Sequence, residues 1–182
     1  VVGKSSEDGV DYQQWSEQYN ANYDPALKEI EGTLTTALGE QHYMTQGQLE
    51  KVIQWKLNVQ RGRRDRSIEW MSDVPAAFIQ RISEAAFLVD DPKLQLNTLT
   101  SIPGIGPATA TVVLTFHDPT TYVVGDRYMV TALFDEDRAL CLSDYPRLFT
   151  ELRERNPGGF DLRTIETASY QQYRETYAVD RW

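Results

Sequence analysis

The chain of 182 residues is long enough to bury a real core, as one domain or as two small lobes. A formal charge of −9 argues against a broadly basic nucleic-acid coat, and a single cysteine excludes an internal disulfide and a four-cysteine zinc or iron–sulfur site built from this chain alone. His42 and His117 stand far apart, and no apolar run approaches bilayer-spanning length, so neither a bound metal nor a membrane is expected.

The pattern is helical nearly throughout, and the expected class is all-α. Residues 1–23 read as a polar extension. Asp24-Pro25 then starts a helix, with Leu27, Ile30, Leu34 and Leu38 on one face until Gly39. Thr45 with Gln48 is a capping-box signal for a second helix, whose stripe is Leu49, Val52, Ile53 and Leu57. That helix runs out into a basic cluster. From Lys51 to Arg66 six basic residues stand against Asp65 alone, a net +5 over sixteen residues. Taken by itself such a run is a solvated segment.

Asp73 and Pro75 open a third helix, with Phe78, Ile82, Ala85 and Val89 assigned to its buried side. Asp91-Pro92 opens a short one carrying Leu94, Leu96 and Leu99. Arg127 to Phe134 and Asp144 to Arg155 read as helices, Asn156-Pro157-Gly158-Gly159 as a turn, and the last helix starts near Asp161. In that helix Ile165, Tyr170, Tyr173 and Tyr177 have spacings that suit core packing, and the stripe is expected to pack back onto the first part of the chain. Thr121 to Val124 carries the only strand signal, too short for a sheet. Cys141 reads as a small buried apolar residue, and His117 as part of a solvated turn.

Between the helices at 92–117 lies Ile102-Pro103-Gly104-Ile105-Gly106, with Pro107 opening the second of them. Glycines there permit positive φ and leave amide hydrogens bare, and a helix start adds unpaired donors and the positive end of a dipole. Such a surface suits a phosphate oxygen, or a monovalent cation bridging to one. An ordinary helical hairpin with a tight glycine turn is the simpler alternative.

The whole string LxxIPGIGPATAxxVL, followed by HDPTTYVVGDRYMVTALF, resembles the helix-hairpin-helix element and the Gly/Pro loop with aspartate (118–126) of the endonuclease III-like (HhH-GPD) superfamily of DNA glycosylases. The resemblance covers roughly residues 94 to 134. It implies a two-lobed helical domain over 24–182 with a cleft between the lobes. It also implies an intracellular monomer acting on duplex DNA, with the hairpin residues Pro103, Gly104, Ile105, Gly106, Ala108 and Thr109 gripping the backbone.

Asp126, 20 residues after Gly106, matches the family's catalytic aspartate; preceding an apolar helix, it also reads simply as a helix cap. The lysine that strand-cleaving members carry two residues past the second glycine is replaced by Ala108, and the C-terminal cysteine cluster is absent. The implied chemistry is therefore monofunctional and hydrolytic, with water as nucleophile, no lysine-dependent strand cleavage and no iron–sulfur cluster, and its products are a free base and an intact abasic strand. On this reading Arg61, Arg63, Arg64 and Arg66 contact phosphates, and Tyr43, Trp55 and Trp70 are candidates for a base pocket, each with core packing as its alternative. A non-catalytic DNA-binding module and a protein-interaction domain are the rival classes.

Overall fold

The computed structural model describes residues 9–177. Among them are ten α-helices and no strand: α1 (Tyr12–Asn22), α2 (Pro25–Glu40), α3 (Gln46–Lys56), α4 (Arg61–Ser72), α5 (Ala76–Leu88), α6 (Pro92–Leu99), α7 (Pro107–His117), α8 (Arg127–Phe134), α9 (Asp144–Arg155) and α10 (Leu162–Tyr177). The protein is all-α. No helix of the described residues is long and apolar enough to cross a membrane.

Local chemistry sets the helix starts. Asp24 accepts from Ala26 N at 2.8 Å with Pro25 in the first turn, and Thr45 and Gln48 close a reciprocal capping box. Asp91 accepts from Leu94 N at 2.6 Å and Asp161 from Thr164 N at 2.7 Å. Each side chain satisfies a donor that the helix itself leaves over.

Helix α7 is the hub of the first group of helices. Thr109 to Phe116 are all buried, because α2, α3 and α6 pack around it. Its threonines stay satisfied in that setting, Thr115 donating to the Thr111 carbonyl at 2.8 Å. In the second group α10 is central, with α1, α8 and α9 against it. Here Tyr12 meets Phe160, Ser16 Oγ lies 3.3 Å from Thr167 Oγ1, and Tyr19 packs edge-on to Tyr170, so α1 and α10 run in the same direction.

Four sequence expectations change. Within the polar extension, residues 12–22 form α1 and bury Tyr12, Ser16 and Tyr19. In α5 the buried face is Ile79, Ser83 and Ala86, one residue beyond the expected Phe78, Ile82, Ala85 and Val89; Phe78 and Ala85 are exposed. The shift follows from Ser83, which sits in the core because its hydroxyl accepts from Met44 N at 2.8 Å and reaches the Ile79 carbonyl at 2.9 Å. The arginine cluster is neither loop nor helix end but the first half of helix α4. The C-terminal stripe is buried at Ile165, half-buried at Tyr170 and Tyr173, and exposed at Tyr177, because α10 outruns α1 there.

Two further residues differ from their readings. Cys141 is exposed; its backbone is tied inward, Cys141 N donating to the buried Asp144 at 2.7 Å, while its side chain faces out. His117 is not a solvated turn residue. It ends α7 with its ring stacked 3.8 Å from that of Phe87 and Nδ1 2.9 Å from the Leu38 carbonyl.

Candidate active-site cavity

A cavity of about 970 Å³ opens where α3, α4, the turn between α6 and α7, α8 and α10 converge. That is ample for one nucleoside-sized group. Gly104 to Thr109 form one wall, Trp55 and Lys56 another, and Asp126 stands between them.

The turn is built for close approach. Ile102 and Ile105 are buried and hold it down, while Pro103 and Gly106 are exposed. Gly104 has φ +87°, and a Cβ on it would lie 2.4 Å from the backbone oxygen of Ser67, so α4 presses directly on the hairpin. Gly106 is different: a Cβ there would meet nothing within 4 Å, and it begins α7 with no side chain capping the helix. Pro107 has no amide hydrogen, and the amides that follow it, at Ala108 and Thr109 in the cavity wall, have no side-chain cap from residue 106.

Asp126 is positioned by tethers on each of the three residues before it. The Val123 carbonyl accepts from Tyr145 OH at 2.7 Å, Val124 N donates to Glu166 Oε2 at 3.1 Å, and Gly125 N donates to Thr111 Oγ1 at 2.9 Å. Gly125 itself is squeezed: a Cβ would fall 2.8 Å from Leu148 Cδ1. The short extended run thus has no partner strand, yet its backbone is pinned to α7, α9 and α10. At its end Asp126 Oδ1 accepts from Met129 N at 3.0 Å and caps α8. Its other oxygen, Oδ2, accepts from Lys56 Nζ at 2.7 Å. The two side chains are 12% and 17% exposed, so both retain access to the cavity.

Beneath them lies a buried network. Arg163 binds Glu166 at 2.6 Å and Glu31 at 3.1 Å, and Tyr23 bonds to Glu31 and accepts from Trp55 Nε1 at 2.6 Å. Burial opposes the Arg163 charge, but Glu166, Tyr19 and Glu31 outweigh it and hold the guanidinium above its ordinary range. Burial likewise pushes the Tyr170 phenol up, with the charge of Asp126 adding to it.

The cavity carries six cationic side chains (Lys56, Arg63, Arg66, Arg127, Arg138 and Arg163) against Asp126, Asp137 and Glu166, in a chain of net charge −9. Four of the six are paired within the protein: Lys56 with Asp126, Arg127 with Asp137, Arg138 with Asp144, and Arg163 with Glu166. Among the described residues no carboxylate lies within ion-pair distance of Arg63, Arg66 or Arg61. Arg64 turns to Asp65.

Of the residues singled out from the sequence, the cavity brings together Asp126, Gly104, Ile105, Gly106, Ala108, Thr109, Arg63, Arg66, Trp55 and Trp70. Trp55 is a buried wall, edge-on to Phe116 at 5.1 Å, whereas Trp70 is 55% exposed at the mouth. Arg61, Arg64, Pro103 and Tyr43 lie outside the lining. Sequence reasoning missed Lys56 as a site residue, because it was legible only as one charge in a basic run. It also missed Arg163 and Glu166, which sit in a helix otherwise marked by tyrosines. Among the described residues no group of three or more His, Cys, Asp or Glu side chains could hold a metal ion.

Compared with known proteins, the chain matches no protein-family model, no curated protein and no solved structure.

Proposed function

We propose that the protein is a DNA glycosylase of the helix-hairpin-helix class, hydrolysing the N-glycosidic bond of a modified base turned out of duplex DNA and leaving an abasic site. The observation that carries this reading is the joint presence, on one cavity, of the bare turn at Gly104 to Gly106, the tethered carboxylate of Asp126, and Arg63 and Arg66, which have no carboxylate partner among the described residues.

Breaking such a bond develops positive charge on the sugar. A carboxylate held rigidly beside it stabilises that charge and directs water to it. Asp126 suits the role, because its backbone and one oxygen are already fixed and need no reorganisation. Amides at the start of α7 and the arginines of α4 suit the phosphates on either side. Trp55 and Trp70 offer the faces against which an extruded base stacks. The protein would work as a monomer on intracellular DNA, with a monovalent cation at the hairpin as an optional bridge to phosphate.

A second reading has its own observation. Both oxygens of Asp126 already have partners, Met129 N and Lys56 Nζ, which suits a purely structural aspartate in a non-catalytic DNA-binding module. Base release separates the two. Duplexes each carrying one modified base are incubated with the protein and treated with hot alkali. Cleavage of one duplex by the wild type and not by Asp126→Asn upholds the glycosylase; duplex binding with every base retained favours the module.

A further inference from the structure

The tyrosines of the last helix run past the core that holds the first of them. Tyr170 lines the cavity beside Tyr128 of α8, their ring centroids 6.0 Å apart. Tyr128 lies 6.1 Å from Tyr173, and Tyr173 lies 4.7 Å from Tyr177. Burial falls along the series: Tyr170 and Tyr173 are half-buried, and Tyr177 is 62% exposed. One end of an aromatic ladder therefore stands in the cavity and the other on the surface. Between Tyr170 and Tyr177 the helix rises roughly 10 Å.

Packing accounts for the inner rung, since Tyr170 meets Tyr19 of α1 edge-on at 6.2 Å. The outer rungs lie beyond α1 and still follow one another ring to ring. Charge beside them is balanced: Arg174 is followed by Glu175, and Arg127 is paired with Asp137. What this surface offers a ligand is the face of a ring. The ladder is continuous with the cavity that the glycosylase reading fills with DNA, so a strand leaving that cavity meets these rings. Paired bases keep their faces inside the duplex, and only unpaired ones present them to an aromatic side chain.

We propose that Tyr173 and Tyr177, continuing from Tyr128, form a stacking site for one or two unpaired nucleotides that adjoin the base held in the cavity. The proposal rests on the glycosylase reading for the entry of DNA and names its substrate more closely: DNA in which the target lies within a run of unpaired nucleotides. Stacking on tyrosine tolerates any base, because every base has a π face. At the inner end, the Arg127 and Asp137 side chains are 62% and 69% exposed, so a phosphate of the same strand replaces Asp137 at little cost.

The test titrates whole protein into two fluorescein-labelled DNAs, a fully paired duplex and the same duplex with a central bubble of unpaired thymidines, and reads anisotropy. Wild type should bind the bubble at least about fivefold more tightly, the lower end of what stacking of one base gives. Tyr177→Ala should abolish that preference and leave affinity for the paired duplex unchanged. Tyr177→Phe keeps the ring and should keep the preference, whereas Tyr177→Leu keeps apolar bulk without a ring and should lose it. The slope of log affinity against log salt should be the same for wild type and Tyr177→Ala, because no phosphate contact is removed. Tyr177 is exposed, and thermal denaturation checks that its variants fold as wild type does. Equal binding of both DNAs by wild type overturns the proposal. So does a preference that survives Tyr177→Ala or Tyr177→Leu, which reports only the ease of distorting the bubble, or one lost in Tyr177→Phe, which assigns it to the hydroxyl. Base release scored by hot alkali reports the parent reading separately. Release without a bubble preference removes the stacking site alone. A bubble preference that needs the ring of residue 177, without release of any base, upholds the site and removes the hydrolytic reading. Absence of binding to either DNA removes both.

Discussion

Lys56 and Asp126 are 70 residues apart in the chain and 2.7 Å apart in space. The contact joins the end of α3 to the start of α8 across the cavity. It makes one carboxylate responsible for a helix cap, an ion pair and, on the proposed reading, the chemistry.

These duties separate by substitution. Asp126→Asn keeps an oxygen for Met129 N but leaves the largely buried Lys56 ammonium without its carboxylate, and should fold with some loss of stability while losing base release. Asp126→Ala loses the cap as well and should cost about 1 kcal/mol more in chemical denaturation. Equal stability of the two variants would show that the cap at 3.0 Å contributes nothing.

The two glycines of the turn should behave differently. Gly104→Ala places a methyl in the left-handed region and 2.4 Å from the Ser67 oxygen, and should destabilise by about 1–3 kcal/mol for the backbone conformation, with the clash added. Gly106→Ala meets open space and should stay within about 0.5 kcal/mol of wild type. Its duplex affinity should nonetheless drop, because the methyl stands where a phosphate would approach. Thermal denaturation alongside a binding titration reads both quantities.

The arginines of α4 without a carboxylate partner should set the salt dependence. For Arg63→Ala or Arg66→Ala, the plot of log affinity against log salt should be shallower by about one unit. Arg64→Ala should change it less, since that side chain is turned to Asp65 at 3.1 Å. Fluorescence anisotropy across a salt series measures the slopes, and equal slopes for all three would detach α4 from DNA.

Acid should weaken the wall formed by residues 138–144. The Arg138 guanidinium beside Asp144 holds its carboxyl below the usual range; burial opposes this and Cys141 N supports it. The folded state therefore binds that proton less tightly than the unfolded chain does. The resulting stability is present above the ordinary aspartate value of about 4 and is lost as pH falls through the lowered folded value. The difference in Tm between wild type and Asp144→Asn should be largest near neutrality and shrink below that region. A difference independent of pH would mean the carboxylate charge is not the stabilising element.

Much of this architecture was legible from residue pattern. The helix range at 127–134 follows from the Asp126 cap and apolar spacing, and the range at 144–155 and the buried stripes of α2 and α3 from apolar spacing. What escaped was set by contacts remote in sequence. Ser83 is buried because Met44 N donates to it, and no hydropathy pattern records that. Residues 12–22 look polar because the tyrosines that bury them against α10 alternate with glutamine and glutamate. Asp126 could be singled out by its neighbours along the chain, whereas Lys56 acquires meaning only from a residue 70 positions later. Trp55 and Trp70 were equivalent as letters; a hydrogen bond to Tyr23 made one a wall and left the other at the mouth.

The parallel seating of α1 on α10 has a consequence in time. The Ser16–Thr167 contact spans 151 residues. On a ribosome, Tyr12, Ser16 and Tyr19 leave the exit tunnel with nothing to cover them until α10 follows, so docking of α1 waits for the emergence of α10. Because α10 also carries Arg163 and Glu166, the cavity floor is completed only at that moment. A nascent chain stalled before α10 would have its hairpin and its aspartate but no finished site, which ties competence to the synthesis of α10.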